Sequence, residues 1–216
     1  MLSAGVLTPK PGVVAAWRQP GNGVIVGQLA AGTLLVAGRS LPDPNFTETV
    51  LLLIEYSADG AAGVVLNRSS GVPLARALPS VKAVAGVTAP AYIGGPVSGS
   101  SVLALSGVAC DGCRAIARDV HLVQSADVLA KLLEGGADES RLRVYAGYSG
   151  WGSGQLEAEA RLGAWRVIGS DARIVFDPNP SSLWRRMIER AEAVLASLLY
   201  PRLMSALAST PVSPST

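Results

Sequence analysis

Tyr145-Ala-Gly-Tyr-Ser-Gly-Trp-Gly-Ser-Gly-Gln-Leu-Glu-Ala-Glu159 carries four glycines, two tyrosines and a tryptophan. Upstream, the apolar run Leu142–Ala146 reads as a strand; Gln155–Arg161 reads as a helix. A Gly-rich turn between strand and helix can cradle an anion, because free N–H groups and the positive helix end point the same way. Against a phosphate, no Lys follows the glycines, and a P-loop needs one. Glu157 and Glu159 are also expected to complement the helix dipole already. The stretch reads first as a tight structural turn anchored by Tyr148 and Trp151. A small-ligand or peptide pocket and a phosphate site are the alternatives.

Ser149 invites comparison with a nucleophile elbow, G-x-S-x-G. Gly147-Tyr-Ser-Gly-Trp151 fails at the fifth position, and Gly150-Trp-Gly-Ser-Gly154 fails at the third. A triad also needs a base, and the single histidine, His121, lies in an alternating apolar segment. Serine hydrolysis is not the expectation.

Outward from this stretch, Thr33–Ala37 reads as a buried strand. Val50–Glu55 and Gly63–Leu66 read as a hairpin around the Asp59-Gly60 turn signal. Residues 73–86 predict a short helix and loop. Tyr92-Ile93 and Val102–Leu105 read as strands beside the turn Gly94-Gly95-Pro96. Val120–Val123 is a further strand, and Ser125 caps a helix through Glu134. Trp165–Ile168 and Arg173–Phe176 read as strands. The last helix starts at Ser181 or Ser182, with Pro201 expected to disrupt or end it. Intermixed strands and helices with an antiparallel pair predict a mixed α/β (α+β) layered fold, its partly antiparallel sheet flanked by helices. Residues 24–208 are expected to form one domain, after a loose Pro/Gly-rich arm (1–23) and before a disordered Ser/Thr/Pro tail (209–216).

Composition agrees with a sizeable core: 49% of residues are hydrophobic and only 16% charged, against a usual charged share of about 25%. A net charge of +2 is too balanced to point to nucleic acid. Residues 161–202 do hold seven Arg against four acids, so nucleic acid stays a minor alternative. The first twenty residues show no continuous apolar segment, and no run is long enough to span a bilayer. The expectation is a cytoplasmic protein without membrane contact.

Cys110-Asp-Gly-Cys113 is the single cysteine pair. It reads as inert thiols, as a redox pair, or as half a metal site with His121 and Asp111 or Asp119. Among the polar residues, Asp43 and Glu157 are the candidate acid or base, and Asn67 and Gln155 could orient a ligand. Glu157 and Glu159, two apart on a helix, point away from each other and make a poor catalytic pair.

Five strings occur in one order: Thr33–Ala37, Pro42-Asp-Pro-Asn-Phe46, Gly63-Val-Val-Leu-Asn-Arg68, Ile93-Gly-Gly-Pro-Val97 and Gly147–Glu157. Trp165, Phe176 and Trp184 follow. In this the chain resembles the bacterial YqgE/AlgH family over roughly residues 31–190. The resemblance implies a cytoplasmic protein with a layered α/β fold of the family's own type. One branch of the family is labelled a regulator of alginate production, and no reaction is implied. Arg39 stands where the pattern often has Pro, and Ser106 where it often has His, which argues against a family histidine as catalyst. The expectation is therefore a non-enzymatic binding or regulatory protein with no cofactor, taking a small molecule or a protein partner. Its surface would be built from Asp43, Phe46, Asn67, Gly94, Gly95, Pro96, Tyr148, Ser149, Trp151, Gln155 and Glu157. An enzyme using Glu157 or Asp43, and a thiol switch at Cys110 and Cys113, are the alternatives.

Overall fold

A computed structural model describes residues 28–79, 81–85 and 87–208, with side chains described as far as residue 197. The N-terminal arm and C-terminal tail read from the sequence lie outside the described residues. The strands are β1 (Thr33–Ala37), β2 (Val50–Ser57), β3 (Gly60–Val65), β4 (Ser69–Pro73), β5 (Pro90–Ile93), β6 (Val97–Ser106), β7 (Cys113–Ala117), β8 (Val120–Val123), β9 (Leu142–Gly152) and β10 (Trp165–Gly169). The helices are α1 (Leu74–Ala77), α2 (Ala126–Glu134), α3 (Gln155–Arg161), α4 (Ala172–Val175) and α5 (Leu183–Ala208).

The strands run in the order β10-β1-β2-β3-β9-β6-β8-β7, and β5 joins β4 to β9. Every pairing is antiparallel except β5 with β9. The fold is thus the mixed α+β layered architecture expected, with a curled, mainly antiparallel sheet. The β2–β3 hairpin forms as read, with Ser57 opposite Gly60.

The sheet's period-two alternation divides the core. Leu34, Val36, Leu52 and Val64 face one cluster, completed by Leu183, Met187, Ile188 and Ala191 of α5. Leu35, Leu51, Leu53 and Val65 face the other, with Trp151, Trp165 and Leu156 of α3. Beyond β9, the apolar stripe of α2 covers Ala104, Val123 and Val144. Ser125 caps α2 by accepting from the Val128 N–H. The first turn of α5 is docked where Trp184 Nε1 donates to Ala37 O at 2.8 Å, and Arg39 reaches Glu192 of that helix at 2.9 Å.

Three expectations are corrected. The glycines after Ala146 are not a loop: β9 continues through Gly152. Up to Tyr148 it pairs with β6; from Ser149 onward it pairs with β3. The strand passes between the two halves of the sheet at Gly147, where φ is +71°. A side chain there would also meet Gly95 O at 2.7 Å. Second, Arg173–Phe176 is not a strand. Asp171 accepts from the Ile174 N–H and starts α4 instead, a local cap that overrides the β-branched composition. Third, α5 runs through Pro201. Proline removes one helical hydrogen bond, and here the helix continues on both sides of it.

Candidate functional site

The cradle reading of the glycine stretch fails on hydrogen bonding. The ladder pairs Gly60 with Gly152, Ala62 with Gly150 and Gly63 with Ser149, and the Gly152 N–H donates to Gln155 Oε1 at 3.1 Å. What the glycines supply is closeness. A Cβ on Gly60 would lie 2.3 Å from Trp151 O, and one on Gly95 would lie 2.3 Å from the Tyr148 carbonyl carbon.

The stretch's polar groups are tied into the scaffold. Ser149, fully buried, donates to Gly94 O at 3.3 Å. Its hydroxyl faces a carbonyl, and His121 on β8 sets its Nδ1 3.4 Å from Ser106 O. Glu157 accepts from Tyr56 Oη at 2.7 Å. That bond holds the Glu157 carboxyl below its ordinary range and raises the Tyr56 phenol. Asp43 closes a turn by accepting from the Asn45 N–H at 2.8 Å. Asn67 bridges two segments, accepting from the Val50 N–H and donating to Glu48 O, each at 2.9 Å. Arg68 donates to the carbonyls of Pro44, Asn45 and Thr47. Asn67 and Arg68 therefore pin the loop that carries Phe46.

Phe46 stacks on Trp151 with ring centroids 6.1 Å apart and meets Trp165 edge-on at 5.5 Å. The loop with Asp43 and Phe46 thus touches the glycine stretch, and so does Gly94-Gly95, with exposed Pro96 following. They meet it on different sides. Trp151 and Phe46 belong to the cluster under α3, whereas Tyr148 packs on the α5 side. The sheet lies between Tyr148 and Trp151, so no single cleft is lined by both.

Two residues outside the sequence candidates organise this region. Glu159 Oε2 accepts from both Trp151 Nε1 and Trp165 Nε1, and its Oε1 accepts from Gln155 Nε2 at 2.9 Å. The spacing that ruled out a Glu157–Glu159 pair is real, but each carboxylate has its own aromatic partner. Arg143, 2% exposed, is the second. It donates to Val175 O at 3.0 Å and to Asp177 O, capping the end of α4, and lies over the Tyr92 ring at 4.8 Å. An Arg inside an otherwise apolar strand is the sequence signal for such a cap, since a buried guanidinium requires partners.

Beside the aromatic cluster lies a cleft of about 460 Å³ between α3, β10 and α5. Leu29, Trp165, Val167 and Leu195 give it an apolar wall, and Glu157, Arg161 and Arg166 add charge. The Arg166 Nε is buried without a partner among the described residues. A second cleft, of about 510 Å³, is lined by Asp119, Arg141, Arg173 and Phe176; of the residues weighed in the sequence it includes Asp119 alone, away from both cysteines. Cys110 and Cys113 form a disulfide in the β6–β7 turn. Among the described residues no three His, Cys, Asp or Glu side chains gather as a metal set, and no helix is long and apolar enough to cross a membrane.

The AlgH-like family model (DUF179) matches residues 34–196. A UPF0301 protein of Streptomyces avermitilis is 39% identical over 182 residues, spanning 79% of this chain and 91% of that one. A UPF0301 protein of Rhodococcus erythropolis is 33% identical, spanning 85% and 90%. Among solved structures, a Corynebacterium diphtheriae protein superposes with a TM-score of 0.60 at 27% identity, covering 76% of this chain and 88% of that one. The AlgH protein from Pseudomonas aeruginosa gives 0.58 at 28%, covering 92% and 100%. The sheet order, the pinned Phe46 loop and the glycine-bearing strand all lie within the matched span, and the chain belongs to the AlgH-like family.

Proposed function

We propose that this chain is a non-enzymatic binding protein whose ligand is a small amphipathic anion held in the α3–β10–α5 cleft. The observation that carries the reading is the cleft's make-up: an apolar wall of Leu29, Trp165, Val167 and Leu195, flanked by Arg161 and Arg166. Its volume falls in the range of small-molecule sites, which combine an apolar lining with a few polar groups that fix orientation. An apolar body would lie on the Trp165 side, and a carboxylate or phosphate would face the guanidinium groups.

The candidate acid–base groups support binding over catalysis. A general acid at neutral pH needs a raised carboxyl pKa, and Glu157 is shifted the other way by Tyr56. Asp43 spends an oxygen on its own turn. The mixed charge of the cleft, Glu157 beside two arginines, suits a small ligand better than a polyphosphate backbone.

The test is a thermal-shift series with medium-chain fatty acids, aromatic carboxylates and alkyl phosphates. At a hundredfold its dissociation constant a ligand adds about 2.7 kcal/mol, or about 5–10 °C in a chain of this size. Leu195→Arg, which fills the cleft, is expected to abolish the shift while leaving the unliganded melt close to wild type. No shift from any member, or one indifferent to Leu195→Arg, would remove the reading.

A further inference from the structure

The cysteine pair plays no part in the cleft. Cys110-Asp-Gly-Cys113 is a β-turn: the Cys113 N–H donates to Cys110 O at 3.0 Å. Gly112, at φ +80°, supplies the left-handed third residue that a type II turn requires. The turn sets the two Cα atoms 5.2 Å apart, inside the roughly 4.4–6.8 Å window of a disulfide.

Two further contacts fix the turn independently of sulfur. Gly112 O accepts from the Gln124 N–H at 3.1 Å. A Cβ on Gly112 would lie 2.7 Å from Val128 Cγ2, so glycine also permits the close approach to α2. These backbone contacts hold the turn without drawing on the S–S bond. Asp111 and Gly112 are exposed and both cysteines are part-exposed, which leaves the pair open to a small reagent. The chain has two cysteines in all, so pairing within one molecule is self-contained.

We infer that Cys110 and Cys113 form a reversible thiol–disulfide exchange site for a small thiol of the glutathione class. In the reducing direction a glutathione thiolate attacks one Sγ. The S–S bond breaks, and the other cysteine leaves as a thiolate and takes a proton from water. A second glutathione thiolate attacks the glutathione sulfur of the mixed disulfide, releasing glutathione disulfide and the remaining cysteine thiolate. Two electrons pass from two glutathione molecules to the protein, and the reverse sequence restores the bond.

The experiment equilibrates the full-length chain in glutathione buffers from fully reduced to fully disulfide. Acid quench, alkylation and intact-mass measurement follow. The wild-type chain is expected to pass reversibly from two alkylated cysteines to none, and Cys113→Ser is expected to collect one glutathione instead. Inserting one glycine after Asp111 removes the turn hydrogen bond. It should displace the midpoint about tenfold toward disulfide-rich buffer, because the reduced thiols lose the turn that keeps them at a high effective concentration. Two alkylatable thiols that persist in the all-disulfide buffer would overturn the inference. So would a bond that survives excess reduced glutathione, and an unmoved midpoint in the insertion variant would overturn the role of the turn.

Discussion

Trp151 and Trp165 donate their indole N–H groups to one and the same oxygen of Glu159, at 3.0 and 2.8 Å. The rings meet edge-on, 6.1 Å apart, and both side chains are buried. One carboxylate on α3 thereby fixes the end of β9 against the start of β10. Glu159→Ala strands two donors and is expected to destabilise the fold by about 2–4 kcal/mol. Glu159→Gln keeps an acceptor oxygen and should cost less than half of that. Urea unfolding followed by tryptophan fluorescence separates the two, and equal losses would argue against the shared acceptor.

Asn67 holds Val50 and Glu48 through the two ends of its amide, and the loop it closes carries Phe46. Asn67→Ala is expected to cost about 1–3 kcal/mol and to alter the fluorescence of Trp151, on which Phe46 stacks. Asn67→Asp keeps the acceptor but sets a carboxylate oxygen against Glu48 O, so it should be no milder than the alanine change. An unchanged emission spectrum in both variants would mean that the loop is held by Arg68 alone.

Burial raises the phenols of Tyr92 and Tyr145 well above their ordinary value. Raised folded-state values mean that the native chain keeps protons the unfolded chain has lost. Stability is then complete below about pH 10, the unfolded value, and declines as pH rises beyond it. Among the described residues the Tyr145 hydroxyl also lacks a hydrogen-bond partner. Tyr145→Phe is thus expected to be neutral, or stabilising by up to about 1 kcal/mol, and to flatten the alkaline decline. A loss greater than about 1 kcal/mol at neutral pH would point to a hydrogen bond made by that hydroxyl.

Gly147 combines a left-handed backbone with a 2.7 Å approach to Gly95 O. Gly147→Ala carries the left-handed penalty of about 1–2 kcal/mol plus the displacement of a neighbouring backbone. A total loss above about 3 kcal/mol, or failure to fold, is the expected outcome by circular dichroism. Gly136 has a similar φ with open space around it, so Gly136→Ala should show the conformational penalty alone.

The elements legible in the sequence were those with local signals. The Asp59-Gly60 turn announced its hairpin, and Ser125 announced α2. The misreadings share one cause. Gly147, Gly150 and Gly152 look like punctuation in one dimension, and their strand character comes from β3 and β6, which lie far away in sequence. In α4, one cap outweighed a β-branched run. The site followed the same rule. Phe46 and Trp151 could be picked out by residue type, but their contact depends on Asn67 and Arg68 closing a loop. Glu159 is silent in the sequence because its partners are not Glu157 but two indoles brought in by other strands. Leu195 and Val167, which wall the cleft, look like any core residue until α5 is seen to pass beside β10.

The strand β9 has a consequence for how this architecture can change. Its first half belongs to one sheet half and its second half to the other, with no break in the chain between them. No cut in the sequence yields two self-contained pieces, since either fragment would expose an unpaired edge where β9 had been. Each half of the sheet is completed by its own share of one continuous strand.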